Sequence, residues 1–128
     1  RPLMAGVLGG KYRPGTAPPR DSRGADDERI AKWVSDHEAG LEKLFTLAEE
    51  RGVPPSHVAI AWLKDQPGVT CPIVGVSTLE QFVESAGAFE LELSDSERVD
   101  LAAAFGAEVR EVSQYYGPLR RRFDLLVG

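Results

Sequence analysis

Two glycine-containing segments hold the residues whose types and spacing suit chemistry. The first is Gly6-Val7-Leu8-Gly9-Gly10-Lys11-Tyr12, where glycines beside a lysine suggest a phosphate-binding loop. Neither common nucleotide motif fits it, because Gly10-Lys11 is followed by Tyr12 rather than by Ser or Thr, and because no Gly-x-Gly core opens a helix. We therefore predict neither a P-loop nor a dinucleotide-binding fold.

The second segment, residues 75–81, joins a predicted strand to a predicted helix. Its sequence is Gly75-Val76-Ser77-Thr78-Leu79-Glu80-Gln81. A strand that ends in glycine and leads into a Ser- or Thr-capped helix presents free N–H groups to a phosphate. Helix capping alone explains the same residues, so both interpretations stay open at this point.

The sequence contains no catalytic set and no metal site that spacing can identify. His37 and His57 with a single cysteine match no zinc-ligand spacing, and no Ser–His–carboxylate arrangement is indicated. Cys71 lies within the predicted strand and is expected to be inert. Because one cysteine cannot form an internal disulfide, a reducing, cytoplasmic location is expected.

Composition indicates a soluble globular protein. Of 128 residues, 42% are apolar and 27% are charged, which suits one domain or a piece of a larger one. No apolar run approaches the ~18 residues that a membrane-spanning helix needs, and no secretory signal precedes Lys11. The chain begins with Arg1 rather than Met, which we interpret as indicating a fragment.

Charge is distributed unevenly along the chain. Residues 1–23 carry a net charge of +4, and the remaining residues carry −9. A basic, Gly- and Pro-rich leader on an acidic body indicates either an anion site or a solvated loop. Nucleic acid is disfavoured as a partner, because no aromatic residues alternate with these arginines and the acidic remainder repels a long polyanion.

The first predicted elements are a long loop over residues 1–25 and one continuous helix that Gly52 ends. Asp26, Asp27 and Glu28 cap this helix, and an apolar stripe runs along it from residue 30 to residue 48. His37 lies on that stripe and is predicted to be a packing residue rather than a catalyst.

Further along the chain, Pro55 opens a buried second helix in which Trp62 belongs to the core. Residues 69–74 are predicted to form a strand. Ser77 or Thr78 caps the next helix, and Ser94 with Glu97 forms a capping box for another. Because a lone strand must pair, its neighbours are expected in another copy or upstream of Arg1.

Three stretches together resemble the aldo-keto reductases. Residues 2–12 resemble the segment after strand seven of their barrel, and residues 47–63 contain two runs that resemble the seventh barrel helix. Residues 69–77, with Gln81 and Glu84, resemble strand eight and the adenosine pocket. The long leader ending at Ser22-Arg23 is similar to the potassium-channel β-subunit-like branch of the family.

The resemblance implies an α/β fold, the C-terminal portion of a (β/α)8 barrel, mainly helical with a single clear strand in this chain. Residues 1–106 form this portion, and residues 107–128 form a tail, expected to be a frayed helix and a surface segment. The resemblance also implies NADP(H) as cofactor. The residues that match its nicotinamide-side phosphate contacts are Pro2, Leu3, Met4, Ala5, Gly9 and Lys11. Those that match its adenosine and 2′-phosphate contacts are Arg23, Gly75, Ser77, Gln81 and Glu84.

The family's catalytic Asp, Tyr, Lys and His match no residue here, since they lie before the position of Arg1. The chain alone is therefore expected to be inactive, whereas the complete protein would transfer hydride from the nicotinamide nucleotide to a small carbonyl substrate. The alternative is a non-catalytic helical interaction module or a truncated remnant. Exposed apolar faces favour self-association in either case, and no nucleic acid or membrane partner is expected.

Overall fold

A computed structural model of the chain describes residues 2–17, 19–20, 22 and 27–107. Within this part the regular structure is helical. Five α-helices follow a leader with a 3-10 turn at Met4–Gly6 and a π-helical turn at Val7–Lys11. The helices are α1 (Glu28–Asp36), α2 (Glu38–Arg51), α3 (Pro55–Lys64), α4 (Leu79–Gly87) and α5 (Asp95–Ala104).

Most predicted helix ends are confirmed, because they depend on local chemistry. Pro55 occupies the first position of α3, where its missing N–H leaves no hydrogen bond unmade. Gly52 ends α2 in the left-handed conformation with φ of 63°. At α5, Ser94 and Glu97 form both halves of the predicted capping box.

The predicted continuous first helix is wrong, because it breaks at His37. The backbone there has φ of −123° and ψ of 29°, and it separates α1 from α2. The imidazole stacks on the Trp33 ring with 4.1 Å between centroids, and Nδ1 lies 2.9 Å from the Trp33 carbonyl oxygen. His37 is half-buried, as expected for a packing residue, and its contacts with Trp33 end the first helix.

The predicted strand over residues 69–74 is also wrong. These residues have no regular secondary structure, and no hydrogen-bonded ladder forms anywhere in the described part of the chain. A ladder needs two extended segments side by side, and the described elements are helices and turns. Consequently the apolar run lies open, with the side chain of Ile73 83% exposed.

The core lies between α2 and α3. Helix α2 packs against α3 and α5, while α3 also contacts the leader turn and α4. The predicted burial of α3 is confirmed, since Val58, Ile60 and Ala61 are fully buried. Trp62 is half-buried against the core, and its Nε1 donates to the carbonyl of Arg98 at 3.1 Å. The tail from residue 108 onward lies outside the described residues.

Candidate functional site

The leader contains a left-handed turn that most side chains avoid. Met4 and Ala5 have φ of 44° and 58°, and Gly6 follows with φ of 96°. Left-handed non-glycine residues each cost about 1–3 kcal/mol and concentrate at functional sites. The turn is closed by Gly6 N–H and Leu8 N–H, which donate to the Leu3 carbonyl at 2.9 and 3.3 Å.

This turn and residues 73–77 line an open groove of about 540 Å³. Six residues predicted for the cofactor site line the groove: Pro2, Leu3, Met4, Ala5, Gly75 and Ser77. Two segments that are distant in sequence therefore meet at one surface. Apolar side chains lie on both sides of the groove, and Ser77 adds a hydroxyl-bearing residue to the second side.

Helix α4 begins at the edge of the groove, and its first turn is capped internally. The Thr78 hydroxyl accepts from Gln81 N–H at 3.3 Å, so Thr78 rather than Ser77 is the cap. The Gln81 side chain accepts from Ser77 N–H through Oε1 at 2.8 Å. Hydrogen bonds from its own backbone N–H and from Thr78 lower the pKa of Glu80.

The internal capping restricts how an anion could bind at this edge. The N–H groups of Ser77 and Gln81 already have acceptors, and the Glu80 carboxylate adds negative charge beside them. A phosphate would rely on hydroxyls and on a cation. Arg23, the cation predicted for that task, lies outside the described residues.

Four other predicted residues lie away from the groove lining. At Gly9 a side-chain Cβ would meet no atom within 4 Å, so the backbone is open there. Lys11 is exposed, and its Cδ would lie 3.5 Å from a Cβ added at Gly6. Gln81 and Glu84 are exposed on α4, and Glu84 is hydrogen-bonded to α3.

Sequence reasoning missed several residues around this site. Ile73, Val74 and Val76 also line the groove, and although residues 69–77 were assigned to the adenosine pocket by resemblance, these three were not named as site residues. Ser56 and His57 contact Glu84 from α3. A hydroxyl beside the apolar positions of a buried helix was the sequence signal that could have indicated Ser56.

A second cavity, of about 180 Å³, lies among the helices and does not suit a polar ligand. Its walls are apolar, with Trp33, Leu44, Trp62 and Phe105 among them. It contains none of the predicted site residues. We interpret it as a packing defect between helices.

The described residues contain no group of three or more metal-ligating side chains. Cys71 is exposed in a segment without regular secondary structure instead of lying within a strand. Among the described helices, none is long and apolar enough to cross a membrane.

Comparison with known proteins identifies the family. The model of the aldo/keto reductase family matches residues 1–104. The chain belongs to the aldo/keto reductase family. Membership implies a (β/α)8 barrel for the complete fold, of which the described residues supply helices.

Individual relatives agree with this assignment. The chain is 36% identical over 92 residues to an uncharacterized oxidoreductase, YrpG, of Bacillus subtilis (strain 168), and the match covers 72% of this chain and 26% of the relative. It is 35% identical over 102 residues to the aldo-keto reductase AMT2 of Alternaria alternata, covering 80% of this chain and 23% of that protein. The chain therefore spans about a quarter of the length of these relatives.

Proposed function

We propose that this chain is the C-terminal, NADP(H)-binding part of an aldo-keto reductase barrel that reduces carbonyl groups to alcohols. The observation that carries the proposal is the groove, in which Pro2–Ala5 lie opposite Gly75 and Ser77. The resemblance assigns these two segments to one cofactor, and the fold brings them to one surface. Family membership supports the oxidoreductase class.

The residues present fit a phosphorylated nucleotide. The left-handed turn at Met4 and Ala5 exposes backbone toward the groove, and Ser77 supplies a hydroxyl at its far edge. The basic side chains of Lys11 and Arg23 would balance the phosphate charge. The bound nicotinamide would supply the hydride, and this chain's own residues would hold and orient the nucleotide.

An exposed apolar surface supports the idea that the barrel is completed by further strands. Ile73, Leu79, Phe82 and Val83 are 83, 72, 58 and 63% exposed, and Val76 beside them is 39% exposed. Soluble proteins rarely leave such contiguous apolar surfaces open to water. Strands contributed by the rest of the barrel would cover this face and pair with residues 69–76.

The same surface also favours the second candidate function, a non-catalytic interaction module. Such a module would use the face of α4 to bind a protein, and it would not bind nucleotide. The assignment to the potassium-channel β-subunit-like branch, the NADP preference and the absence of catalytic residues stay predictions within the first candidate.

Arg23 provides the experiment that tests the proposal. We define the reconstituted barrel as this chain assembled with the part of a relative that precedes its matched region. It should prefer NADPH to NADH, and Arg23→Ala should weaken NADPH binding by about 10- to 100-fold, because a charged hydrogen bond is worth about 1.5–3 kcal/mol. NADH binding should stay nearly unchanged in a fluorescence titration at fixed ionic strength.

Arg20→Ala is the matched control, since Arg20 is an exposed arginine of the same leader. It should leave the preference for NADPH intact. If Arg23→Ala lowers the affinity for NADPH and for NADH equally, Arg23 only shapes the loop. Binding of neither nucleotide by the assembled wild type would favour the interaction module.

A further inference from the structure

The apolar cavity of about 180 Å³ reaches the surface where the described part of the chain ends. Trp33, Trp62 and Phe105 in its wall are each half-buried, and Ala107, the last described residue, also lies in the wall and is exposed. This volume is large for a gap between packed helices, because an engineered apolar cavity of about 150 Å³ holds a benzene molecule. The described helices therefore leave room for apolar side chains.

The end of α5 turns the chain at this cavity. Gly106 is left-handed with φ of 68°, and its N–H donates to the Ala103 carbonyl at 3.0 Å, while the Ala107 N–H donates to the Ala102 carbonyl at 2.8 Å. These two hydrogen bonds form a Schellman motif, which ends a helix and folds the following residue back against its last turn. Because Ala102 and Ala107 both line the cavity, the chain continues directly from the cavity wall.

The sequence that follows Ala107 has an apolar face of its own. Residues 108–128 lie outside the described residues, so only their sequence is used here. Val109, Val112 and Tyr116 are spaced three and four residues apart, which places them on one face of a helix, and we call them the tail stripe. Charged and polar residues lie between them: Arg110, Glu111, Ser113 and Gln114.

We propose that the tail stripe packs into the cavity, with Val109 and Val112 inside it. Both residues are within reach, because two extended residues span at most about 7 Å and five helical residues rise about 7.5 Å from Ala107. Burying the two valines removes apolar surface from water and fills space that would otherwise lack contacts.

The tether favours the chain's own tail over any other occupant. A segment attached to the cavity wall has an effective concentration there of about millimolar or more, so a second copy of the chain or a small apolar molecule competes poorly with it. Among the described residues, none that lines the groove also lines the cavity. The inference therefore does not depend on nucleotide binding.

The first test removes residues 108–128 from the reconstituted barrel. Trp33 and Trp62 are the two tryptophans of this chain, and both line the cavity. Truncation should increase the quenching of their fluorescence by acrylamide. Benzene should then raise the Tm of the truncated barrel by about 2–4 °C and leave that of the full barrel unchanged, because only the truncated form has an open cavity.

A substitution that fills the cavity gives a readout of opposite sign in the two forms. Ala102→Leu adds three carbons at the cavity wall. It should raise the Tm of the truncated barrel by about 2–4 °C, and it should lower the Tm of the full barrel by displacing the tail stripe. Ala103→Leu is the matched control, since Ala103 is exposed on α5 and does not line the cavity. It should shift both forms equally.

Serine substitutions in the tail stripe test the named side chains without truncation. The variant that combines Val109→Ser with Val112→Ser should become sensitive to benzene. The control combines Arg110→Ser with Glu111→Ser, which changes two residues between the stripe positions and keeps the net charge, and it should behave as the wild type. If the truncated barrel does not assemble, these two variants decide the proposal.

Three results would overturn the proposal. Equal quenching and equal benzene response in the truncated and full barrels would mean that another part of the barrel fills the cavity or that it stays open. Protection of the tryptophans that grows with protein concentration would identify a second copy as the occupant. A Tm shift of the same sign for Ala102→Leu in both forms would show that the tail does not enter the cavity.

Discussion

Gly40 shows how one close approach decides the effect of a substitution. In a helix interior, Gly→Ala ordinarily stabilises by about 0.5–1 kcal/mol. At Gly40, however, a Cβ would lie 2.6 Å from Cγ of Phe105, whose ring packs over α2. We therefore expect Gly40→Ala to lower the free energy of unfolding of the reconstituted barrel by about 1–3 kcal/mol in urea titrations.

The control for this prediction is another glycine with open space around it. At Gly9 an added Cβ would meet nothing within 4 Å, so Gly9→Ala should change the free energy of unfolding little. A Gly40→Ala variant as stable as the wild type would contradict the packing of α5 on α2.

Single residues that act locally were predictable from sequence, and residues that act across elements were not. Pro55 begins α3 where no N–H is needed, Gly52 ends α2, and Thr78 caps α4 by accepting from Gln81 N–H. Each acts within a few positions of the chain, so spacing alone identifies it. The stack of His37 on Trp33 follows from i,i+4 spacing, but that spacing does not show that the backbone breaks at His37. The hydrogen bond from Ser56 to Glu84 depends on how α4 packs, which no periodicity in the chain encodes.

At the scale of elements, the N-terminus of α5 carries the clearest pH dependence. Arg51 donates to both oxygens of Glu97, at 2.8 and 2.6 Å, and the Ser94 N–H donates to Oε2 at 2.7 Å. The ion pair with Arg51, with help from Ser94, lowers the pKa of Glu97 from 4.5 to about 2. The carboxylate joins α2 to the cap of α5.

The depressed pKa fixes the direction of the stability change. The stabilisation should be fully present above pH 4.5 and should be lost as the pH falls toward about 2, where the folded state also takes up the proton. Glu97→Gln should lower the free energy of unfolding by about 2 kcal/mol at neutral pH. The difference in stability between Glu97→Gln and the wild type should shrink toward zero as the pH approaches about 2. Urea titrations at a series of pH values measure this difference.

Asp100→Asn serves as the control for Glu97→Gln. Asp100 pairs with Lys43 at 3.4 Å, and both side chains are more than 40% exposed. Such surface pairs contribute about 0–1 kcal/mol, so this substitution should have a small effect. A loss as large as that of Glu97→Gln would contradict the special role of the cap.

Residues 69–76 show why an apolar run can be predicted incorrectly as a strand. Apolar, β-branched residues bounded by Pro67-Gly68 and Gly75 favour a strand, but the described segment has no regular secondary structure. Pairing depends on neighbours that the sequence pattern does not describe. The groove likewise followed only from the family resemblance, because no spacing links residues 2–5 to residues 75–77.

At the scale of the whole molecule, the open face of α4 predicts how the isolated chain behaves. With Leu79, Phe82 and Val83 exposed, the 128-residue chain should form oligomers or a poorly packed state that binds hydrophobic dyes. Replacing these three residues with serine should reduce dye binding and should also prevent reconstitution of the barrel. Light scattering and dye fluorescence measure both effects.

A sharp, cooperative thermal transition of a monomer would contradict this prediction. It would mean that the chain is sufficient for its own fold. It would also remove the main reason for expecting further strands.

We propose that this chain holds much of a cofactor site and none of the catalytic residues. NADPH is titrated against three samples, which are the chain alone, the preceding part of the relative alone and the reconstituted barrel, and an aldehyde is then added to each. We expect saturable binding and NADPH oxidation only for the reconstituted barrel. Steady oxidation by the 128-residue chain alone, or an assembled barrel that binds no NADPH, would contradict it.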